Sequence, residues 1–132
     1  MSVLERLLGT WETTMNHSAM PEGVTGRQTY ETVLSGAFVL QQWRSDHPDV
    51  PDAMALLSDD HYYYFDVRGI VRIFDLEFDD AGWSMIHLDE DFSQRTTARF
   101  SGRDIIESTG EVSKDNGATW HHDFTMTYNR VR

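Results

Sequence analysis

The chain has no cysteine, so neither a disulfide framework nor thiolate chemistry is open to it. No apolar run approaches the ~18–20 residues that a membrane-crossing helix needs. The opening residues Met1-Ser2-Val3-Leu4-Glu5-Arg6 lack the charged region, apolar run and cleavage site of a secretory signal, and a cytoplasmic location is expected. Basic residues are scarce: 11 Lys and Arg against 22 Asp and Glu leave a net charge of −11. Such a surface repels phosphate backbones and anionic headgroups, which argues against nucleic acid and membranes as partners. There is no G-x-S-x-G, no phosphate loop and no H-x-H or H-E-x-x-H spacing. No hydrolytic nucleophile or metal centre is therefore expected.

What is present is alternation. In the last stretch, Trp120, His122, Phe124, Met126, Tyr128 and Arg130 share one parity, while His121, Asp123, Thr125, Thr127 and Asn129 share the other. That is a long strand with one buried and one wet face. From Thr10 the sequence reads as ten strands: 10–17, 25–34, 38–45, 53–58, 62–67, 70–78, 83–89, 93–101, 105–112 and 119–131. Pro21-Glu22-Gly23, Ser35-Gly36, Asp59-Asp60, Arg68-Gly69, Asp80-Ala81-Gly82, Gly102-Arg103-Asp104 and Asp115-Asn116-Gly117 supply turns between them. The segment 46–52, with two prolines, is the one longer loop. Ser2-x-x-Glu5 has the form of a capping box for a short N-terminal helix, with Val3, Leu4, Leu7 and Leu8 on one face and Gly9 at its end.

Sequential strands, tight turns and no crossover helix predict an all-β fold, an antiparallel up-and-down barrel of 8–10 strands in one domain, 1–132. Closure removes the unpaired edges and leaves room for a small ligand. A helix-grip α+β fold is the runner-up, but it wants a long helix where this chain has its best strand. The acid-rich segment Asp75–Asp91 offers oxygen ligands at Asp79-Asp80 and Asp89-Glu90-Asp91, yet without a Ca²⁺-loop spacing these are expected to be solvated turns and strand ends.

Gly9-Thr10-Trp11 after a short helix resembles the G-x-W opening of the calycin superfamily, which includes lipocalins and fatty-acid-binding proteins. That resemblance implies that a cation from the last strand covers the indole, and Arg130 is its counterpart here, as a structural clasp with Trp11. Gly9-x-Trp11, Tyr30-Glu31-Thr32-Val33-Leu34-Ser35-Gly36, Tyr64-Phe65-Asp66, Asp115-Asn116-Gly117 leading to Trp120, and Tyr128-Asn129-Arg130 together resemble bacterial lipocalin-like proteins that form a family of unknown function. Fatty-acid-binding proteins carry two helices for which this chain has no segment. The haem-binding nitrobindin branch is similar in architecture, but its G-x-W-x-G-x-G pattern is replaced here by Glu12-Thr13-Thr14 after Trp11. The expected cofactor is therefore none, with haem on His87 or His122 kept as a third reading.

Charged groups on a barrel's inner face need a reason. Arg72 alternates with Ile70, Phe74, Leu76 and Phe78, so it is expected to face inward, either to bind an anionic group or to pair internally with Asp66 or Glu107. Arg95 and Arg99 are expected on the outer face. Tyr30, Trp43, Tyr64, Phe74, Met85, Trp120 and Phe124 are expected cavity walls. Tyr62-Tyr63-Tyr64 must serve both faces. His87, with Trp83 and Met85, and His122, with Trp120 and Phe124, are expected inside, as ligand contacts or an acid–base pair. His17, His47 and His61 are expected to be solvent-facing. Val71 and Ile73 oppose Arg72, and apolar groups on that outer face point to a homodimer. The leading expectation is a binding protein for an apolar or amphiphilic, anionic small molecule; a cavity isomerase, cyclase or lyase is the alternative.

Overall fold

The computed structural model describes residues 3–132; the side chains of Val3 and Pro21 lie outside the description, as does Ser2 of the expected capping box. A 3₁₀ turn at Val3–Leu7 leads into ten strands: β1 Gly9–His17, β2 Met20–Val33, β3 Phe38–Ser45, β4 Ala53–Leu57, β5 His61–Asp66, β6 Val71–Asp79, β7 Gly82–His87, β8 Ser93–Phe100, β9 Ile105–Ser113 and β10 His121–Arg130. Every neighbour pair is antiparallel, and β1 pairs with β10, so the meander closes into a barrel. Among the described residues no helix is long and apolar enough to cross a membrane.

Two strands differ from the sequence pattern. β2 begins at Met20, not Thr25, because Pro21-Glu22-Gly23 is no turn. The pairs His17↔Met20 and Met15↔Val24 set Pro21, Glu22 and Gly23 against Asn16 alone, an irregular bulge that asks no ladder hydrogen bond of the proline. β10 begins at His121, because Asp115 organises 114–120 as a loop. Its Oδ1 accepts from the Ser113 hydroxyl at 2.7 Å and the Thr119 N–H at 2.8 Å, and Asn116 and Gly117 take positive φ inside that loop.

The core lies at the end where β1 starts and β10 finishes. Trp11, Leu7 and Ile106 are fully buried there, and Trp11 and Trp83 each set an edge against Tyr128 at 6.5 Å. Arg130 pairs with Trp11 across the β1–β10 seam and covers its indole at 4.2 Å. The same guanidinium donates to the carbonyls of Leu8 at 2.8 Å and Arg6 at 2.7 Å, while the indole N–H donates to Leu7 O at 2.8 Å. These bonds satisfy the carbonyls of a turn too short to stand alone. Leu4 and Leu7 plug this floor, and Arg6 lies over Phe100 at 3.7 Å. In the acid-rich segment, Asp79 Oδ1 accepts the N–H groups of Ala81 and Gly82, and Asp89 Oδ1 accepts that of Asp91, so these carboxylates fold turns.

Candidate functional site: a cavity with a polarised mouth

Above the floor the barrel is hollow, with a cavity of about 440 Å³. This lies within the roughly 300–1,000 Å³ of small-molecule sites. Phe74, Met85, Phe124 and Met126 form apolar walls, as inward residues of alternating strands should. At the base, Tyr62 donates to Gln41 Oε1 at 2.6 Å, Gln41 donates to Gln28 Oε1 at 2.8 Å, and Tyr30 donates to the same oxygen at 2.5 Å. Burial pushes the phenols of Tyr30, Tyr62 and Tyr128 upward, so they act as neutral donors.

Of the expected wall residues, Arg72, Trp43, Tyr64, Phe74, Met85 and Phe124 line the cavity. Tyr30, His87, Trp120 and His122 do not, and each has a physical reason. Tyr30 sits lower, its hydroxyl spent in the glutamine network. β6–β7 pairing stops at Asp75↔Ile86, which leaves the Ile73 carbonyl beyond the last rung. His87 turns over the strand edge to donate Nδ1–H to that carbonyl at 2.9 Å and packs against Phe74 at 5.5 Å.

His122 and Trp120 are displaced by a bulge. β10 pairs His122 with Glu111 but Phe124 with Gly110, so Asp123 is an extra residue and the parity inverts across it. Phe124 stays inward because Gly110 gives its ring room: a Cβ at Gly110 would lie 2.0 Å from the ring. His122 consequently shares the outer face with Glu111 and Arg95, which bond at 2.8 Å, and Arg95 covers Trp120 at 4.3 Å. The outward placement expected for Arg95 and Arg99 agrees with the inward Gln94, Thr96 and Ala98 of the same strand. Tyr63 is the outward tyrosine of its run, stacked on His61 at 5.8 Å.

The mouth holds the charged groups. Tyr64 donates to Asp66 Oδ2 at 2.8 Å, and Arg68 reaches the same oxygen with Nη2 at 2.6 Å and Nε at 3.2 Å. The Arg68 guanidinium holds the Asp66 carboxyl well below the usual range, and burial beside it pushes the Tyr64 phenol up to about 12. Arg68 is thereby neutralised. Arg72 is not. Neither expected internal partner meets it: Asp66 takes Arg68, and Glu107 lies on the outer face in register with Arg99. Among the described residues its guanidinium has no ion-pair partner, only the Phe92 ring at 5.2 Å.

Two mouth residues escaped the sequence reading. The bulge turns Asp123 inward, and its Oδ1 meets His17 Nε2 at 2.8 Å, both side chains about a quarter exposed. The backbone N–H of Ala19 donates to His17 Nδ1 at 3.0 Å, so that nitrogen carries no proton and the neutral ring bears its hydrogen on Nε2. His17 therefore donates to Asp123. It is the one histidine lining the cavity among the described residues, and both its nitrogens are engaged. His87 and His122, the histidines on which haem was expected, lie off the cavity.

No protein-family model matches the chain, and no curated protein matches it. In fold it is similar to the S-type phycobiliprotein lyase CPES from Guillardia theta, with a TM-score of 0.62 and 12% identity over 100% of this chain and 94% of that one. A looser likeness joins it to EF1p2_mFAP2b bound to DFHBI, with a TM-score of 0.46 and 13% identity over 96% and 95% of the two chains. What the chain shares with the lyase is its fold, here a closed antiparallel barrel of ten strands.

Proposed function

We propose that this protein is a small-molecule carrier or sensor that holds one amphiphilic anion in the barrel. The observation that carries this reading is Arg72: a guanidinium on the wall of an apolar cavity with no carboxylate neutralising it among the described residues. A buried or half-buried cation without a partner is costly, and a bound carboxylate, sulfonate or phosphate relieves that cost through bidentate hydrogen bonds. Trp43, Phe74, Met85 and Phe124 supply flat, adaptable apolar surface for the body of the ligand. The likeness to the phycobiliprotein lyase is one of fold, and the support for an anionic ligand is the cavity's own residues. The bacterial lipocalin-like resemblance of the sequence accords with this reading, which needs no cofactor.

The enzyme alternative used His122 or His87 as acid–base, and neither lines the cavity. The homodimer keeps one support: Val71 and Ile73 are more than half exposed on the outer face of β6, beside Phe65 and Tyr63 of β5. A monomeric mass by light scattering at micromolar concentration removes it.

The test uses 6-anilinonaphthalene-2-sulfonate, an apolar fluorescent anion. Arg72→Ala is expected to weaken its binding by about tenfold, the order of one lost charge-assisted contact, with little change in melting temperature. Unchanged affinity would overturn the reading.

A further inference from the structure

The cavity mouth carries a second, opposite charge that the anion-binding reading leaves unused. Asp123 lines the cavity because of the bulge, and only its Oδ1 is engaged, by His17. Oδ2 has no hydrogen-bond partner among the described residues, although a carboxylate offers about four acceptor positions. The formal charges facing the cavity therefore sort simply. Arg68 is cancelled by Asp66, and His17 is neutral in the tautomer that Ala19 imposes. Arg72 on β6 and Asp123 on β10 remain.

They stand on nearly opposite walls, with β7, β8 and β9 between their strands on the shorter way round. Ten tilted strands ~4.8 Å apart put opposite walls of such a barrel roughly 15–20 Å from each other. Side chains reaching in from both sides leave a gap that a body of two fused rings can bridge. One surface is cationic, the other anionic, and the space between is apolar.

We infer that the ligand is bipolar: an anionic group at Arg72, and at its far end an N–H or protonated amine that donates to Asp123. The inference rests on the anion-binding reading and names the ligand class of the same cavity. His17 is a positioning residue here. Its Nδ1 is pinned by the Ala19 N–H and its Nε2–H fixes the Asp123 carboxylate, so one oxygen is presented in a set orientation. This arrangement suits donor recognition better than base catalysis. Both imidazole nitrogens are engaged, one by the Ala19 N–H and the other by Asp123. Bulges that re-aim one side chain beside a site serve such placement.

The experiment compares 6-anilinonaphthalene-2-sulfonate with its N-methylanilino counterpart, which keeps the sulfonate and rings but has no N–H. Wild-type protein is expected to prefer the N–H probe by at least about fivefold, the scale of one charge-assisted hydrogen bond. Asp123→Ala is expected to bind both probes alike, and Asp123→Asn, which keeps an acceptor oxygen, to retain part of the preference. His17→Ala is expected to shrink the preference without abolishing binding. Equal affinity of wild type for the two probes overturns the inference with no variant needed, and so does a preference that survives Asp123→Ala. Either failure leaves the Arg72→Ala result standing, since both probes carry the anion.

Discussion

The floor and the mouth of this barrel use the same kinds of residue to opposite ends. At the floor, Arg130 covers Trp11 and spends its donors on the carbonyls of Leu8 and Arg6, and the indole N–H is spent on Leu7. At the mouth, Arg72 touches only an aromatic ring, Asp123 leaves an oxygen free, and the buried Trp43 Nε1 has no partner among the described residues. Satisfied polar groups stabilise a fold, and unsatisfied ones mark where something else must bind. The comparison assigns stability to one end and recognition to the other.

The harshest way to break it is Trp11→Ala. Trp11 is fully buried, and large-to-small changes of this kind cost about 3–5 kcal/mol. A calorimetric scan is expected to show a large fall in melting temperature, or no cooperative transition at all. Gly110→Ala comes next, because a methyl group there collides with Phe124; overpacking costs about 1–3 kcal/mol. Phe124 is both wall and packing, so this variant is expected to lower melting temperature and dye affinity together, joining what the two ends otherwise separate.

The smallest effect sharpens the mouth itself. The Arg68 pairing depresses the Asp66 carboxyl in the folded state, so its stabilisation is present above the unfolded value of ~3.9 and is lost as pH falls below it. Asp66→Asn is expected to cost about 1 kcal/mol or less at pH 7, with the difference from wild type shrinking as the melt is repeated toward pH 3. Because Arg68 and Asp66 cancel, the double variant Asp66→Asn/Arg68→Gln, which removes the pair together, is expected to leave sulfonate binding nearly unchanged.

Period-two alternation made the barrel legible, and strand ends moved by only a residue or two where turns matched their signals. The G-x-W opening and the closing Arg130 marked the clasp, since both sit in regular register. Arg72 was visible for the same reason: nothing interrupts the parity of β6. Parity failed at the two bulges. One added residue at Asp123 carries no composition signal of its own, yet it sends His122 and Trp120 out and brings Asp123 in. A cue existed in Gly110, since an isolated glycine within a strand pattern marks a bulge or a close approach. His17 continues the inward parity of Trp11, Thr13 and Met15, whereas its partner Asp123 comes inward only through the bulge.

The most direct measurement sets Arg72→Ala beside Arg130→Ala, reading melting temperature and 6-anilinonaphthalene-2-sulfonate affinity for each. The account predicts a crossover. Arg72→Ala loses about tenfold in affinity and little in melting temperature, whereas Arg130→Ala loses several degrees and, where still folded, keeps its affinity. A loss of melting temperature as large for Arg72→Ala as for Arg130→Ala, with dye binding intact, would contradict it and make Arg72 a structural residue.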